Sequence, residues 1–172
     1  MATGINPRGD VVGRYQGTDG LFHGFTLIDG EFTTIDHPDG RSIHALAINH
    51  RGDLAGYYED HARKLHGFQL IDGVYSTIDP PGSLATGGPG GIVGLNAREM
   101  VGFYRTAPAA LPCGCDGQRG FVYRESAFTT VDVPGAISTS LTGLNRRGDI
   151  VGSYVDTTGR RRGLVLVQGN GK

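Results

Sequence analysis

At 172 residues, with 38% hydrophobic and 19% charged residues, the chain is long enough to bury a sizeable core without a metal or disulfide staple. Its formal net charge of −1 argues against a nucleic-acid partner. No apolar run approaches the ~20 residues that span a bilayer, and the amino terminus lacks a basic-then-apolar signal sequence, so no membrane partner is read and localisation is not legible in this chain.

Taken in chain order, the first elements are two short apolar runs around an Arg-Gly turn, Gly4-Ile5-Asn6-Pro7-Arg8-Gly9-Asp10-Val11-Val12-Gly13-Arg14-Tyr15. A third run opens at His23-Gly24-Phe25, and a fourth, Phe32-Thr33-Thr34-Ile35-Asp36, follows the turn residues Asp29-Gly30. The series restarts at Ala47-Ile48-Asn49, with His66-Gly67-Phe68 and Tyr75-Ser76-Thr77-Ile78-Asp79 downstream. It restarts again at Gly94-Leu95-Asn96, with Arg119-Gly120-Phe121 and Phe128-Thr129-Thr130-Val131-Asp132. The last copy begins at Gly143-Leu144-Asn145, reaches Arg162-Gly163-Leu164, and ends before a fourth run. All of these runs are short, β-branched or aromatic, and bounded by Gly, Pro, Asn or Asp, while helical periodicity is missing throughout.

Repeats of ~40–50 residues carrying four antiparallel strands are the signature of propeller blades. The pattern predicts an all-β, four-bladed β-propeller over a single domain, 1–172, with blades at approximately 1–43, 44–90, 91–140 and 141–172. We name the strands of each blade a to d. Strand a, with its small residues Gly4, Ala47, Gly94 and Gly143, suits the crowded innermost position, and the last blade lacks the outermost strand d.

The wording Gly-hydrophobic-Asn-x-x-Gly-Asp-x-Val-Gly-x-Tyr followed by His-Gly-Phe resembles the HAF-type extracellular repeats of bacterial proteins. The resemblance covers essentially the whole chain and departs at Arg119-Gly120-Phe121 and Arg162-Gly163-Leu164. It implies a propeller-like fold and an extracellular or periplasmic setting.

Alternating strand direction separates two faces. The a–b and c–d turns, tight Arg-Gly and Asp-Gly hairpins, share one; the b–c loops, highly variable in length, and the d–a connections share the other. Variable loops on a rigid scaffold are where function concentrates. Counting back from each two-residue c–d turn pairs His23 with Asp36, His66 with Asp79 and Arg119 with Asp132, the third about Glu125-Ser126. Arg162 is expected to lack a carboxylate because its strand d is absent. These seven residues admit two readings: cross-strand pairs that close each blade, or polar groups around the channel mouth that bind a ligand.

The leading functional reading is a non-enzymatic binding or scaffold module that holds a small or anionic ligand, or a partner protein, on the variable face. The alternative is a lyase, isomerase or hydrolase using the same His, Asp and Arg groups as acid, base or oxyanion stabiliser; no serine or cysteine recurs beside them as a nucleophile. No cofactor is called for, and no metal site either. Cys113 and Cys115 supply only two thiolates where four ligands are usual, and their redox state is left open. The Arg-Gly-Asp tripeptides at Arg8, Arg51 and Arg147 are read as hairpin residues. The unpaired edge of the last strand, near Leu164 to Val167, invites another chain's strand, with two readings: a homodimer paired at this edge, or a four-blade piece of a larger ring.

Overall fold

The computed structural model describes residues 1–86, 91–107 and 117–168. The four-bladed β-propeller arrangement is present, and no helix occurs among the described residues. Blade one comprises β1 (Ala2–Ile5), β2 (Val11–Gln16), β3 (Phe22–Ile28) and β4 (Glu31–Ile35). Blade two comprises β5 (Gly40–Ile48), β6 (Leu54–Asp60), β7 (Leu65–Ile71) and β8 (Val74–Thr77). Blade three comprises β9 (Ile92–Leu95), β10 (Glu99–Arg105), β11 (Gln118–Arg124) and β12 (Ala127–Val131). Blade four has three strands, β13 (Ser138–Leu144), β14 (Ile150–Val155) and β15 (Arg161–Leu166). Each sheet is an antiparallel meander in chain order.

The turns that set this register are the ones the sequence nominates. Asp29 and Gly30, Asp72 and Gly73, and Glu125 and Ser126 all have positive φ, as a two-residue type I′ hairpin requires at both central positions. The a–b turns are closed by their asparagine. Asn6 Oδ1 accepts from the amides of Arg8 (2.9 Å) and Asp10 (3.1 Å), and its Nδ2 donates to Asp10 Oδ2 at 2.7 Å. Asn49 and Asn145 repeat the scheme with Asp53 and Asp149. The Arg-Gly-Asp tripeptides are therefore turn elements whose aspartates are tied down.

Every a–b pair is irregular opposite a glycine of strand b or next to it, and the longer β5–β6 pair has a second irregularity between Gly40 and Ser42. Gly56 shows why: a Cβ there would run into the backbone carbonyl of His44. The bulge bends strand a and increases local twist, which suits its place nearest the axis. Strands a of successive blades pack on one another, β1 on β5, β5 on β9 and β9 on β13.

The core lies between blades rather than within one. Val12 and Ile35 of blade one meet Ile43, Ile48, Leu54 and Phe68 of blade two. Ala55 and Ile78 of blade two meet Ile92, Met100 and Phe121 of blade three. Val101 of blade three meets Leu141 and Ile150 of blade four, with Leu164 and Leu166 packed alongside. Each buried Phe, Ile or Leu contributes roughly 1.5–3 kcal/mol. Among the described residues no corresponding cluster joins blade four to blade one.

Candidate functional site

The cross-strand pairs form at the ends of strands c and d. His23 Nδ1 lies 2.6 Å from Asp36 Oδ1, His66 Nδ1 lies 2.6 Å from Asp79 Oδ2, and Arg119 donates to Asp132 Oδ2 at 2.9 Å. A period of two and a fixed turn are enough to produce this, since register is then determined. The same three blades add a second cross-link: the tyrosine ending strand b bonds a threonine of strand d, as Tyr15 with Thr34, Tyr58 with Thr77 and Tyr104 with Thr130. The pairs thus sit on the outer strands of their blades, and strand a faces the channel.

Arg162 departs from the expectation. With no strand d beside it, it reaches the b–c loop of its own blade and donates from Nε to Asp156 Oδ2 at 2.9 Å. That carboxylate also accepts from the Thr158 hydroxyl (2.6 Å) and the Arg160 amide (3.0 Å), which together hold it far below the usual carboxylate range, while it raises Arg162 in turn.

A loop aspartate serves blades one and two as well. Asp19 lies 3.4 Å from His23 Nε2, and Asp60 lies 3.2 Å from His66 Nε2. Each imidazole is therefore held at both nitrogens by carboxylates. The Asp36 hydrogen bond raises the His23 pKa above the ordinary value, against the opposing effect of burial, and Asp19 adds to the rise. The Leu21 amide and His23 in turn hold Asp19 low. Asp60 and Asp156 align, each six residues before its cation, whereas Asp19 precedes His23 by four.

Tyr15 stacks on His23 at 5.4 Å between ring centroids. The two residues line an open depression with Gln16, Gly17, Thr18 and Asp19, on the variable-loop face. In blade two the equivalent Tyr58 also stacks on its histidine, His66, at 5.1 Å. Its other side is covered: His37, arriving from the d–a connection of blade one, lies 3.7 Å away at an interplanar angle of 9°. His37 is buried, its Nδ1 accepts from the Asp39 amide, and burial keeps its pKa low. Among the described residues no ring covers Tyr15 in this way.

A second cluster sits between blades one and two. Arg14 bonds His44 Nδ1 and lies 4.8 Å over the ring of Phe22, and His44 stacks on Tyr57 at 4.3 Å. Burial and the adjacent guanidinium push His44 down to about 4, so it is a neutral acceptor near pH 7. These residues occupy positions that vary between repeats: Arg14 corresponds to Tyr57, Phe103 and Ser153. Motif alignment discards such positions; their departure from the repeat is the one signal that marked them.

On the hairpin face, a further depression at the channel is lined by Asn6, Asn49, Asn96 and Asn145 with their flanking residues. Cys113-Gly114-Cys115 lies outside the described residues.

No protein-family model matches the chain, and no curated protein matches it. Among solved structures, it is similar to a triple mutant of AofleA from Arthrobotrys oligospora, with 16% identity and a TM-score of 0.54 over 98% of this chain and 55% of that one. It is also similar to a mutant of the Aleuria aurantia lectin in complex with alpha-methyl-L-fucoside, with 13% identity and a TM-score of 0.53 over 94% of this chain and 53% of that one. At these identities the likeness is one of fold. The chain spans about half the length of each.

Proposed function

We propose that the chain acts as one domain, a non-enzymatic binding module that takes a small, neutral, hydroxyl-rich ligand of the sugar class over Tyr15. The observation that carries this is the contrast between Tyr58, capped by the flat ring of His37 at 3.7 Å, and Tyr15, which among the described residues has no such cap and borders a depression with Asp19 and His23. A pyranose presents an apolar face that stacks on such a ring and hydroxyls that bond the flanking carboxylate and imidazole. Asp19 and Asp36 place two carboxylates on one imidazole, so the local charge balance disfavours an anion. His23 and His66 are occupied at both nitrogens, which leaves neither free to take a proton from a substrate and favours binding over catalysis. The alpha-methyl-L-fucoside bound by the similarly folded lectin makes fucosides the first ligands to try, and the HAF-like wording of the repeats supports a setting outside the cytoplasm.

Titration calorimetry with methyl alpha-L-fucoside and a panel of neutral and anionic methyl glycosides tests the reading. A neutral glycoside should bind, and Tyr15→Ala should weaken it at least tenfold with an unchanged far-UV spectrum. Binding of none of the panel up to millimolar concentration, or affinity indifferent to Tyr15→Ala, would sink it.

A further inference from the structure

The positions that build the three blade interfaces recur at the two ends of the series without a partner. On the side of each blade facing its successor, the residue just before the strand-b glycine (Gly13, Gly56, Gly102, Gly152) is Val12, Ala55 and Val101, all 0% exposed, whereas Val151 of blade four is 47% exposed. Val165 of β15, paired with Val151, is 66% exposed, and Val167 just beyond the strand is 72% exposed. A Cβ added to Gly24, Gly67 or Gly120 would meet a side chain of the following blade's strand a, and one added to Gly163 meets nothing. On the side facing the predecessor, Ile48 of blade two is 7% exposed, and its blade-one equivalent Ile5 is 69% exposed. Leu27 and Phe32, whose counterparts Leu70 with Tyr75 and Tyr123 with Phe128 pack against blade interfaces, are exposed beside it. Hydrophobic side chains that recur singly on a surface need no partner; two contiguous faces assembled from interface positions do.

From this we infer that the two open faces are the halves of one more blade interface, and that a second copy of this chain fills it head to tail. One chain carries both halves, so two copies present two identical junctions. Such a heterologous contact closes when the rotation per copy allows it. The asparagines extend the argument. Asn6, Asn49 and Asn96 each donate to the backbone carbonyl of the next blade's asparagine, at 2.9, 3.3 and 3.1 Å, while the Asn145 amide donates to its own Asp149 and, among the described residues, to no other blade. In the assembly its acceptor is the Asn6 carbonyl of the second copy. This chain covers 55% and 53% of the two similarly folded chains, so two copies together match the length of one such chain.

Sedimentation velocity on the full chain tests this, with Ile5→Asp and Val165→Asp as variants. Both residues are exposed in the single chain, so circular dichroism should show each variant folded. The wild type should run as a discrete dimer, each variant as a monomer, and an equimolar mixture of the two should recover a dimer, because one intact junction can still form. A wild-type monomer at all concentrations overturns the inference. So does a dimer that survives Ile5→Asp, the outcome expected if the free edges of β15 pair instead, or a series of ever larger polymers without a closed dimer. The readout is mass alone, so it stands or falls apart from sugar binding.

Discussion

The side-chain amide of Asn6 donates to the backbone carbonyl of Asn49 across the boundary between blades one and two, at 2.9 Å. The same side chain closes its own hairpin, so one residue per repeat both ends strand a and joins the blade to the next.

Asn49→Ala should therefore cost far more than a turn mutation normally does. Asn49 is buried and its side chain makes four hydrogen bonds, and stranding their partners implies a loss of roughly 2–4 kcal/mol. Asn145→Ala, exposed and without a following blade, should cost about 1 kcal/mol. Urea denaturation of the two variants compares them; equal losses would show that the contacts between blades carry no weight.

Phe68 and Phe25 occupy the same repeat position, but Phe68 is fully buried between blades one and two and Phe25 is half-buried on the open side of blade one. Phe68→Ala should lose about 3–5 kcal/mol and Phe25→Ala well under half of that, read as the shift in urea midpoint at constant m-value.

The pKa values of His23 and His44 are shifted in opposite directions, so their contributions to stability should be lost at opposite ends of the pH range. The raised pKa of His23 means that its contribution to stability is complete below its unfolded value of about 6.5 and is lost as pH rises through the folded value. His44, lowered to about 4, stabilises above 6.5 and loses that contribution as pH falls from 6.5 toward 4, because the unfolded chain takes up the proton first. Side-chain NMR should place one midpoint above 6.5 and the other well below it. A common midpoint near 6.5 would contradict both the Asp36 contact and the burial of His44.

Ser126→Gly should stabilise the third blade. Ser126 sits at φ 64° in the place that Gly30 and Gly73 hold in blades one and two, and a left-handed conformation costs an L-residue roughly 1–2 kcal/mol. Part of that is offset by glycine's larger unfolded entropy, leaving a gain of about 0.5–1 kcal/mol. Thermal denaturation would register it as a higher Tm.

What the sequence determined by itself was everything governed by local period and turn chemistry. The four blades, the two-residue c–d turns and the pairing of His23 with Asp36, His66 with Asp79 and Arg119 with Asp132 all follow from alternation of period two about a fixed turn. What only the tertiary structure decided depends on how loops travel and how blades stack. The b–c segments of blades one, two and four are equal in length, and Asp60 and Asp156 share one position six residues before their cations, but how each loop folds its aspartate back onto that cation is fixed by loop conformation, which strand alternation does not report. Arg14 meets His44, and His37 caps Tyr58, across the boundary between blades one and two, where contact depends on the offset of one sheet over another. Which apolar residues are left bare is settled last. Ile5 and Ile48 are the same residue at the same repeat position, and only the presence of a neighbouring blade buries one and exposes the other.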